Sequence, residues 1–262
     1  MLTKADLLKQ LEKFSEARGR IVTIHTSLKA VGEIDGGGET LLSALIEYFT
    51  QDGGLLCIPT HTWDSEVYDL RQAQSCVGVL PRLAAAHPDA LRTLHPTHSM
   101  AVFGDREKAE EFAKNEAFAS TPASPDGCLG KLFEQDGYVL LIGVGQDKNT
   151  YLHCVEEILD TPNRLTDYKV EKSIIHEDGI EEKRCLYWFD EENFGDVSHY
   201  FPKFETPFRY FGCITDGTIG NASVQMCSAR KMKEVVELIY KNNNMGELLD
   251  NDRPIDKNLY IK

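Results

Sequence analysis

The residues best suited to carry chemistry follow the apolar strand YVLLI, in the segment GVGQDKNTYLHCVEE. Asn149 or Thr150 can cap a helix that begins there, and His153 and Glu156 would lie three residues apart on that helix. A carboxylate on the same face as an imidazole fixes its tautomer and stabilises the imidazolium that forms when the ring takes a proton. The spacing alone leaves two interpretations open: a general base with an orienting carboxylate, or an ordinary pair on a helix surface.

A second polar segment reads IHTSLKAVGEIDGGGET, in which a strand leads through hydroxyls and a lysine to three glycines and a helix start. Backbone N–H groups at such a helix start can converge on an anion, and Thr26, Ser27 and Lys29 would add side-chain donors. The glycine spacing matches neither the dinucleotide-binding pattern nor the P-loop pattern. An anion site and a plain connection are therefore both compatible with this loop.

Three histidines suggest a different chemistry. His95 and His98 are three residues apart, which invites comparison with a zinc site. Pro96 between them opposes a regular helix, and no third ligand stands at a diagnostic spacing. We expect no metal, and a metal-dependent hydrolase that uses these two residues with His61 stays open as an alternative.

The elements that must position these residues alternate between helix and strand, as expected of an α/β core. Strands are predicted at Ile21–His25, Leu55–Ile58, Met100–Phe103 and Tyr138–Ile142. Helices are predicted at Lys4–Phe14, Glu39–Phe49, Leu80–Ala86, Arg106–Lys114 and Leu129–Glu134.

The pattern changes after Asp160. Two strand-like segments, Tyr168–Ile175 and Glu182–Phe189, flank a turn at Glu177-Asp178-Gly179 and predict a hairpin. We interpret the chain as one domain, residues 1–262, with an inserted lobe at about 160–215. A helix over Met226–Tyr240 would return to the core, and Lys241–Lys257 is predicted as a loop.

Composition narrows the classes of function. The formal charge of −14 excludes the clustered basic surface of a nucleic-acid-binding protein and favours a cationic small molecule as partner. Seven cysteines without a C-x-x-C pair, and a charged amphipathic start that is not a signal peptide, indicate a reducing cytoplasm. Since no apolar run approaches the roughly 20 residues that cross a bilayer, no membrane partner is expected. The oligomeric state is not predicted.

Taken in order, these clusters resemble the aminoglycoside 3-N-acetyltransferase family. The resemblance runs through HTSLKAVG, GGGETLLSAL, GGLLCIPTHTW, LRTLHPTHSMAVFG, SPDGCLGKLFEQDGYVLLIGVG and NTYLHCVEE, and more faintly through GTIGNASVQMCSARKMKEVV. It covers roughly residues 5 to 160 well. The resemblance implies an α/β fold with a mixed central sheet flanked by helices and an inserted β-rich lobe, distinct from the common GNAT acetyltransferase fold.

The function implied by the resemblance is transfer of an acetyl group from acetyl-CoA, as co-substrate, to an amine. His153 would then be the general base and Glu156 its orienting carboxylate. The cofactor would be held by residues of the first loop and of two later polar clusters: Thr26, Ser27, Lys29, Val31, Gly32, Thr97, Ser99 and Ser124.

The segment from about 160 to 211 matches the family poorly, and that is where contacts to the amine substrate are expected. The candidates for binding its ammonium groups are the acids of YWFDEEN, which are Asp190, Glu191 and Glu192, with Asp64 or Glu66 after PTHTW as another, although a run of acids is also an ordinary solvated face. The acceptor is therefore an aminoglycoside or another small amine. A non-catalytic relative that keeps only the cofactor loop is a further alternative.

Overall fold

The computed structural model describes residues 1–243 and 251–261, and the side chain of Phe194 is left out of that description. Its central feature is a seven-stranded mixed sheet with the order β4-β5-β2-β1-β6-β10-β9. The seven strands are β1 (Ile21–Thr26), β2 (Leu55–Pro59), β4 (Leu91–Arg92), β5 (Met100–Phe103), β6 (Tyr138–Ile142), β9 (Ile214–Ile219) and β10 (Ala222–Ser228). The three central strands, β2, β1 and β6, are parallel, and each outer neighbour joins antiparallel.

A second, three-stranded sheet joins distant parts of the chain. Its strands are β3 (Val67–Asp69), β7 (Leu165–Ile175) and β8 (Glu181–Phe189), in the order β3-β7-β8. The predicted hairpin is confirmed, with Gly179 in a left-handed conformation at the turn (φ 84°). The segment that follows β8 is helical, and the lobe boundaries near 160 and 215 stay a prediction.

The α-helices cover both faces of the large sheet. They are α1 (Lys4–Leu11), α2 (Leu28–Val31), α3 (Gly37–Phe49), α4 (Val79–Ala86), α5 (Arg106–Ala113), α6 (Cys128–Glu134), α7 (Tyr151–Ile158), α8 (Glu191–Phe194), α9 (Glu205–Tyr210) and α10 (Ala229–Asn242). Short 3₁₀ helices occupy Glu12–Ala17, Gln51–Gly53, Lys114–Phe118, Gln146–Lys148, Val197–Phe204 and Lys257–Leu259. The mixed sheet with flanking helices confirms the predicted fold class.

The buried strands separate two hydrophobic cores because alternate side chains point to opposite faces. On β6, Val139 and Leu141 face the core beneath α6, α7 and α10, whereas Leu140 and Ile142 face the core beneath α1, α3 and α4. All four side chains are fully buried. An uninterrupted apolar run is therefore what a strand between two helical layers requires.

One predicted helix starts too early. Met226 and Cys227 belong to β10, and α10 begins only at Ala229, where the Ser228 hydroxyl accepts the amide N–H of Lys231. The preceding hairpin, β9–β10, was not predicted although Gly220-Asn221 marks its turn; no element was assigned to residues 216–225, and the end of β10 was included in the helix. The predicted loop Lys241–Lys257 lies partly outside the described residues, at 244–250.

No helix within the described part of the chain is long and apolar enough to cross a lipid bilayer.

Candidate active site

A cavity of about 850 Å³ opens where the central strands end. It is lined by the last residues of β1 and β2, by the loop and first turn after β6, and by the end of β8. Because β2, β1 and β6 are parallel neighbours, their carboxyl ends meet at one edge, where the chain must leave the sheet. The loops that follow supply the polar side chains of the cavity.

The loop after β6 places His153. Gly143 is left-handed (φ 65°), and a Cβ there would lie 2.4 Å from the Cβ of Ala30, so only glycine allows this turn. A 3₁₀ turn follows, in which the Asn149 amide donates to Oε1 of Gln146 at 2.8 Å. Thr150 occupies the predicted N-cap position of α7 but makes no side-chain cap hydrogen bond.

His153 and Glu156 form the predicted pair on α7. Nδ1 of His153 lies 2.9 Å from Oε2 of Glu156, and the side chain of His153 is 12% exposed in the cavity wall. The imidazole is held between Phe189, at 4.5 Å between ring centroids, and Phe201, at 4.8 Å. The carboxylate fixes one nitrogen of the ring, and the aromatic rings fix its plane.

Arg164 completes this arrangement, and sequence reasoning missed it. Its Nε donates to Oε1 of Glu156 at 2.8 Å, and its side chain is 4% exposed. With the side chain of Glu156 only 3% exposed, the guanidinium supplies the positive charge that a buried carboxylate requires. Arg164 follows Glu156 by eight residues across a turn, a spacing that carries no recognisable signal.

Glu157 makes no hydrogen bond to His153 among the described residues. Its carboxylate accepts hydrogen bonds from the Thr121 hydroxyl and from the amide N–H of Ala123. Burial raises the pKa of Glu157 to about 7, although these two hydrogen bonds act to lower it. This residue anchors the loop that precedes α6 and is separate from the His153 pair.

The cavity wall also holds three other histidines: His25 at the end of β1, His61 just beyond β2, and His98. The ring of His61 stacks on Trp63 at 4.9 Å and lies 4.7 Å from the ring of His98. Burial, reinforced by neighbouring histidines, lowers the pKa values of His61 and His98 well below the usual value. These side chains are neutral at neutral pH.

His95 does not line the cavity. Its Nδ1 accepts the backbone N–H groups of Thr97 at 3.2 Å and His98 at 2.9 Å, and its Nε2 contacts the carbonyl oxygen of Thr121 at 3.0 Å. Both ring nitrogens are thus engaged in holding the loop before β5. The hydrolase alternative loses one of its three proposed ligands, and no cluster with metal-binding geometry occurs within residues 1–243 and 251–261.

Of the residues expected in the first loop to bind the cofactor, Thr26 lines the cavity. Ser27 caps α2, its Oγ accepting the amide N–H of Ala30 at 3.4 Å, and Lys29 is exposed on α2 outside the cavity lining. Val31 is buried, and Gly32 packs against the amide group of Asn221. The structure brings only the first of these side chains to the cavity.

The three hydroxyl residues predicted in the later clusters do not line the cavity. Ser99 is fully buried, with its Oγ 2.9 Å from the Oγ1 of Thr60. Thr97 is also fully buried, with its Oγ1 2.9 Å from Nδ1 of His98. Ser124 is half-buried in the loop before α6 and does not line the cavity. A cofactor-binding role for these three residues stays a prediction, because their side chains do not line the cavity.

Among the acidic candidates, Asp190 and Glu191 line the cavity, whereas Glu192, Asp64 and Glu66 are exposed and do not. Asp190 also caps α8, its Oδ1 accepting the amide N–H of Asn193 at 3.3 Å. Two acids that sequence reasoning did not select also line the cavity: Asp147 and Asp196. The run DEEN did carry the signal, but only the structure separates Asp190 and Glu191, which line the cavity, from Glu192, which does not.

Aromatic side chains were missed as well. Trp188 and Phe189 bring the end of β8 into the cavity wall. The centroid of the His98 ring lies 6.3 Å from that of Trp188 and 5.8 Å from that of Phe189. In the sequence, these residues are indistinguishable from other aromatic residues of a strand.

Comparison with known proteins identifies the family. The family model described as aminoglycoside 3-N-acetyltransferase matches residues 23–241. Aminoglycoside N(3)-acetyltransferase VII of Streptomyces paromomycinus is 29% identical over 259 residues, which cover 87% of this chain and 88% of the relative. The SPbeta prophage-derived aminoglycoside N(3')-acetyltransferase-like protein YokD of Bacillus subtilis (strain 168) is 23% identical over 270 residues, which cover 92% and 93%.

Two solved structures show the same fold. AAC-IIIb in a binary complex with CoASH matches with a TM-score of 0.78 at 24% identity, covering 94% of this chain and 98% of its own. A histidine-to-alanine mutant of aminoglycoside acetyltransferase AAC(3)-IVa in complex with a gentamicin matches with a TM-score of 0.71 at 24% identity, covering 92% and 89%. With the family model spanning most of the chain, the protein is an enzyme of the aminoglycoside 3-N-acetyltransferase family.

Proposed function

We propose that this enzyme transfers the acetyl group of acetyl-CoA to a primary amine of a cationic small molecule, an aminoglycoside in the first instance, with His153 as general base. The observation that carries the proposal is the chain of buried contacts Arg164–Glu156–His153 at the cavity wall. The cavity has three further properties that bear on the proton, the co-substrate and the acceptor.

The tautomer of His153 determines where the proton can go. A carboxylate can only accept hydrogen bonds, so Glu156 holds the proton of the neutral ring on Nδ1. The lone pair is then on Nε2, which has no hydrogen-bond partner among the described residues. An imidazole fixed in this tautomer is suited to take a proton from an amine at the moment of attack.

The balance of the reaction follows from this assignment. The neutral amine nitrogen forms a bond to the acetyl carbon, and the bond between that carbon and sulfur breaks. The proton that the nitrogen loses passes to Nε2 of His153 and then to the departing sulfur. His153 is thereby restored, and Glu156 stabilises the imidazolium in between.

Buried polar atoms of the cavity wall indicate the kind of co-substrate. The hydroxyl of Thr26, Nε2 of His25 and both ring nitrogens of His61 are buried without a partner in the described chain, although all three residues line the cavity. Buried polar groups of native proteins are normally satisfied, so these atoms fit a ligand with carbonyl and amide groups, as acetyl-CoA has. Acetyl-CoA supplies an activated acetyl thioester, and the CoASH complex of AAC-IIIb supports this choice.

The charge of the cavity wall indicates the kind of acceptor. Asp147, Asp190, Glu191 and Asp196 line the cavity, and the cations that line it, Lys148 and Arg164, are paired with Asp147 and Glu156. An excess of carboxylates in a cleft attracts a polycation. The gentamicin complex of AAC(3)-IVa supports an aminoglycoside as acceptor.

The test is release of coenzyme A from acetyl-CoA over a panel of aminoglycosides and simpler amines. For H153A we expect turnover to fall by about 10²–10⁴-fold, the usual value of a positioned base, with coenzyme A binding retained. His176→Ala is the matched control, since His176 lies at the β7–β8 hairpin tip, outside the cavity lining. Near-full acetyl transfer by a folded H153A enzyme would refute the role of His153.

A further inference from the structure

The ring of His61 occupies an unusual position that the base mechanism does not use. The residue is 1% exposed and lines the cavity, yet neither Nδ1 nor Nε2 has a hydrogen-bond partner among the described residues. A neutral imidazole carries one N–H donor and one acceptor nitrogen. Leaving both unsatisfied in a buried site is costly, so the position calls for a ligand that completes them.

The protein holds this ring firmly without bonding its nitrogens. Trp63 stacks against one side at 4.9 Å with an interplanar angle of 29°, and His98 lies 4.7 Å away. His98 in turn contacts Phe189, which packs against His153 at 4.5 Å between ring centroids. A continuous line of touching rings therefore connects the unsatisfied imidazole to the proposed base.

The charge of His61 limits what it can recognise. Burial, together with the proximity of His25, His95 and His153, lowers its pKa well below the usual value, and burial lowers the pKa of His25 to about 4. Neither ring carries a charge at neutral pH. Each ring therefore offers an N–H donor and an acceptor nitrogen, but no positive charge, to a group bound in this part of the cavity.

We infer that His61 donates a hydrogen bond to the carbonyl oxygen of the acyl thioester, in the cavity that His25 and Thr26 also line. The inference rests on the proposed function and adds to it the group that stabilises the oxygen as negative charge develops there. In acyl transfer a donor at this oxygen must lie in the same cavity as the base, because the attacked carbon lies between them. A neutral imidazole serves as donor without competing with His153 for the proton of the amine.

The test compares two inert analogues of acetyl-CoA by calorimetry. One is the ketone in which a methylene replaces the thioester sulfur, and the other is S-ethyl-CoA, which lacks the carbonyl. For the wild-type enzyme we expect the ketone to bind about tenfold more tightly, the value of one net hydrogen bond. In H61F the preference should fall to about twofold or less, because phenylalanine keeps the stack on Trp63 and removes both nitrogens.

Two further variants separate hydrogen bonding from packing. H61Q restores a donor and should recover a measurable part of the ketone preference, which also covers the case of an H61F protein that fails to fold. W63F alters the neighbouring ring but leaves His61 intact, and should keep the preference ratio of the wild type. In steady state, H61F should lower kcat about 10²-fold, the usual effect of losing one such donor, with the KM for the amine nearly unchanged.

The outcomes distinguish this inference from the proposed function. If the wild-type enzyme binds both analogues but H61F keeps the full ketone preference and a kcat within about threefold of wild type, His61 is not the donor. If the wild-type enzyme binds neither analogue, acetyl-CoA is not the co-substrate, and the inference falls with the proposed function.

Discussion

Replacing Glu156 by glutamine is expected to inactivate the enzyme almost as fully as removing His153. The reason is the second contact of the carboxylate: Oε1 accepts from Nε of Arg164 at 2.8 Å while Oε2 accepts from Nδ1 of His153 at 2.9 Å. Both partners are buried donors, so the carbonyl oxygen of a glutamine can satisfy only one of them. The guanidinium is always charged and takes that oxygen.

The side-chain NH₂ group that E156Q introduces then faces Nδ1 of His153. That nitrogen must accept instead of donate, which moves the ring proton to Nε2 and removes the lone pair from the base. In a serine protease, the wrong tautomer caused by the corresponding substitution costs about 10⁴-fold in kcat. For E156Q we expect a loss of about 10³–10⁴-fold, equivalent to about 4–5 kcal/mol of activation free energy.

The helix spacing alone leads to a different expectation. Considered as an isolated pair, Glu156 contributes only an orienting charge, and E156Q should be clearly milder than H153A. The reversal depends entirely on Arg164. The double variant E156Q/R164M therefore tests the reasoning directly: with the guanidinium gone, the glutamine amide can rotate, offer its oxygen to Nδ1 and restore at least about tenfold of the lost kcat.

The assay is steady-state release of coenzyme A with saturating acetyl-CoA, run alongside urea unfolding. E156Q separates a buried charge pair and should lose about 3–5 kcal/mol of stability, so the assay must be run where the variant is folded. E157Q is the matched control, since Glu157 is adjacent but contacts Thr121 and Ala123 instead of His153. A folded E156Q enzyme within about tenfold of wild type, or a double variant slower than E156Q, would refute the tautomer argument.

Three other predictions concern pH, the first loop and the acceptor. Between the unfolded pKa of Glu157 near 4.5 and its folded pKa of about 7, the folded protein holds a proton that the unfolded chain has lost. The free energy of unfolding of the wild type, relative to that of E157Q, should therefore fall by about 3 kcal/mol from pH 4.5 to 7 and level off above. Urea unfolding that gives the same pH dependence for both proteins across that range would contradict this prediction. If Lys29 contacts the co-substrate, K29A should weaken coenzyme A binding and leave the free energy of unfolding unchanged. S27A should lower the free energy of unfolding by about 1 kcal/mol, because it removes the helix cap of α2. Calorimetry of coenzyme A binding and urea unfolding therefore separate the roles of the two residues. E191Q should raise the KM of a multiply charged amine more than the KM of a singly charged one, and this difference should shrink with added salt. E192Q is the control, since Glu192 lies just outside the cavity lining, and it should change neither KM. Equal shifts of KM in both variants would assign the effect to the general surface charge.

The sequence by itself determined the parts of this protein that depend on near neighbours in the chain. The apolar runs at β1, β2 and β6 predict buried strands, since side chains on both faces of each strand enter a core. The spacing of three between His153 and Glu156 predicts their contact, because the helix brings such residues to one face. Even the boundary errors, such as the start of α10, are local, where strand and helix patterns overlap.

Only the tertiary structure decided which polar side chains face the cavity. Arg164 reaches Glu156 because the chain turns back between α7 and β7, and His61 meets His98 because β2 and β5 pair antiparallel. Conversely, Ser99 lies in the same motif as His98 but points into the protein, as the alternation along an extended segment requires. Such contacts are set by the packing of elements distant in sequence, and no local pattern of residue types specifies them.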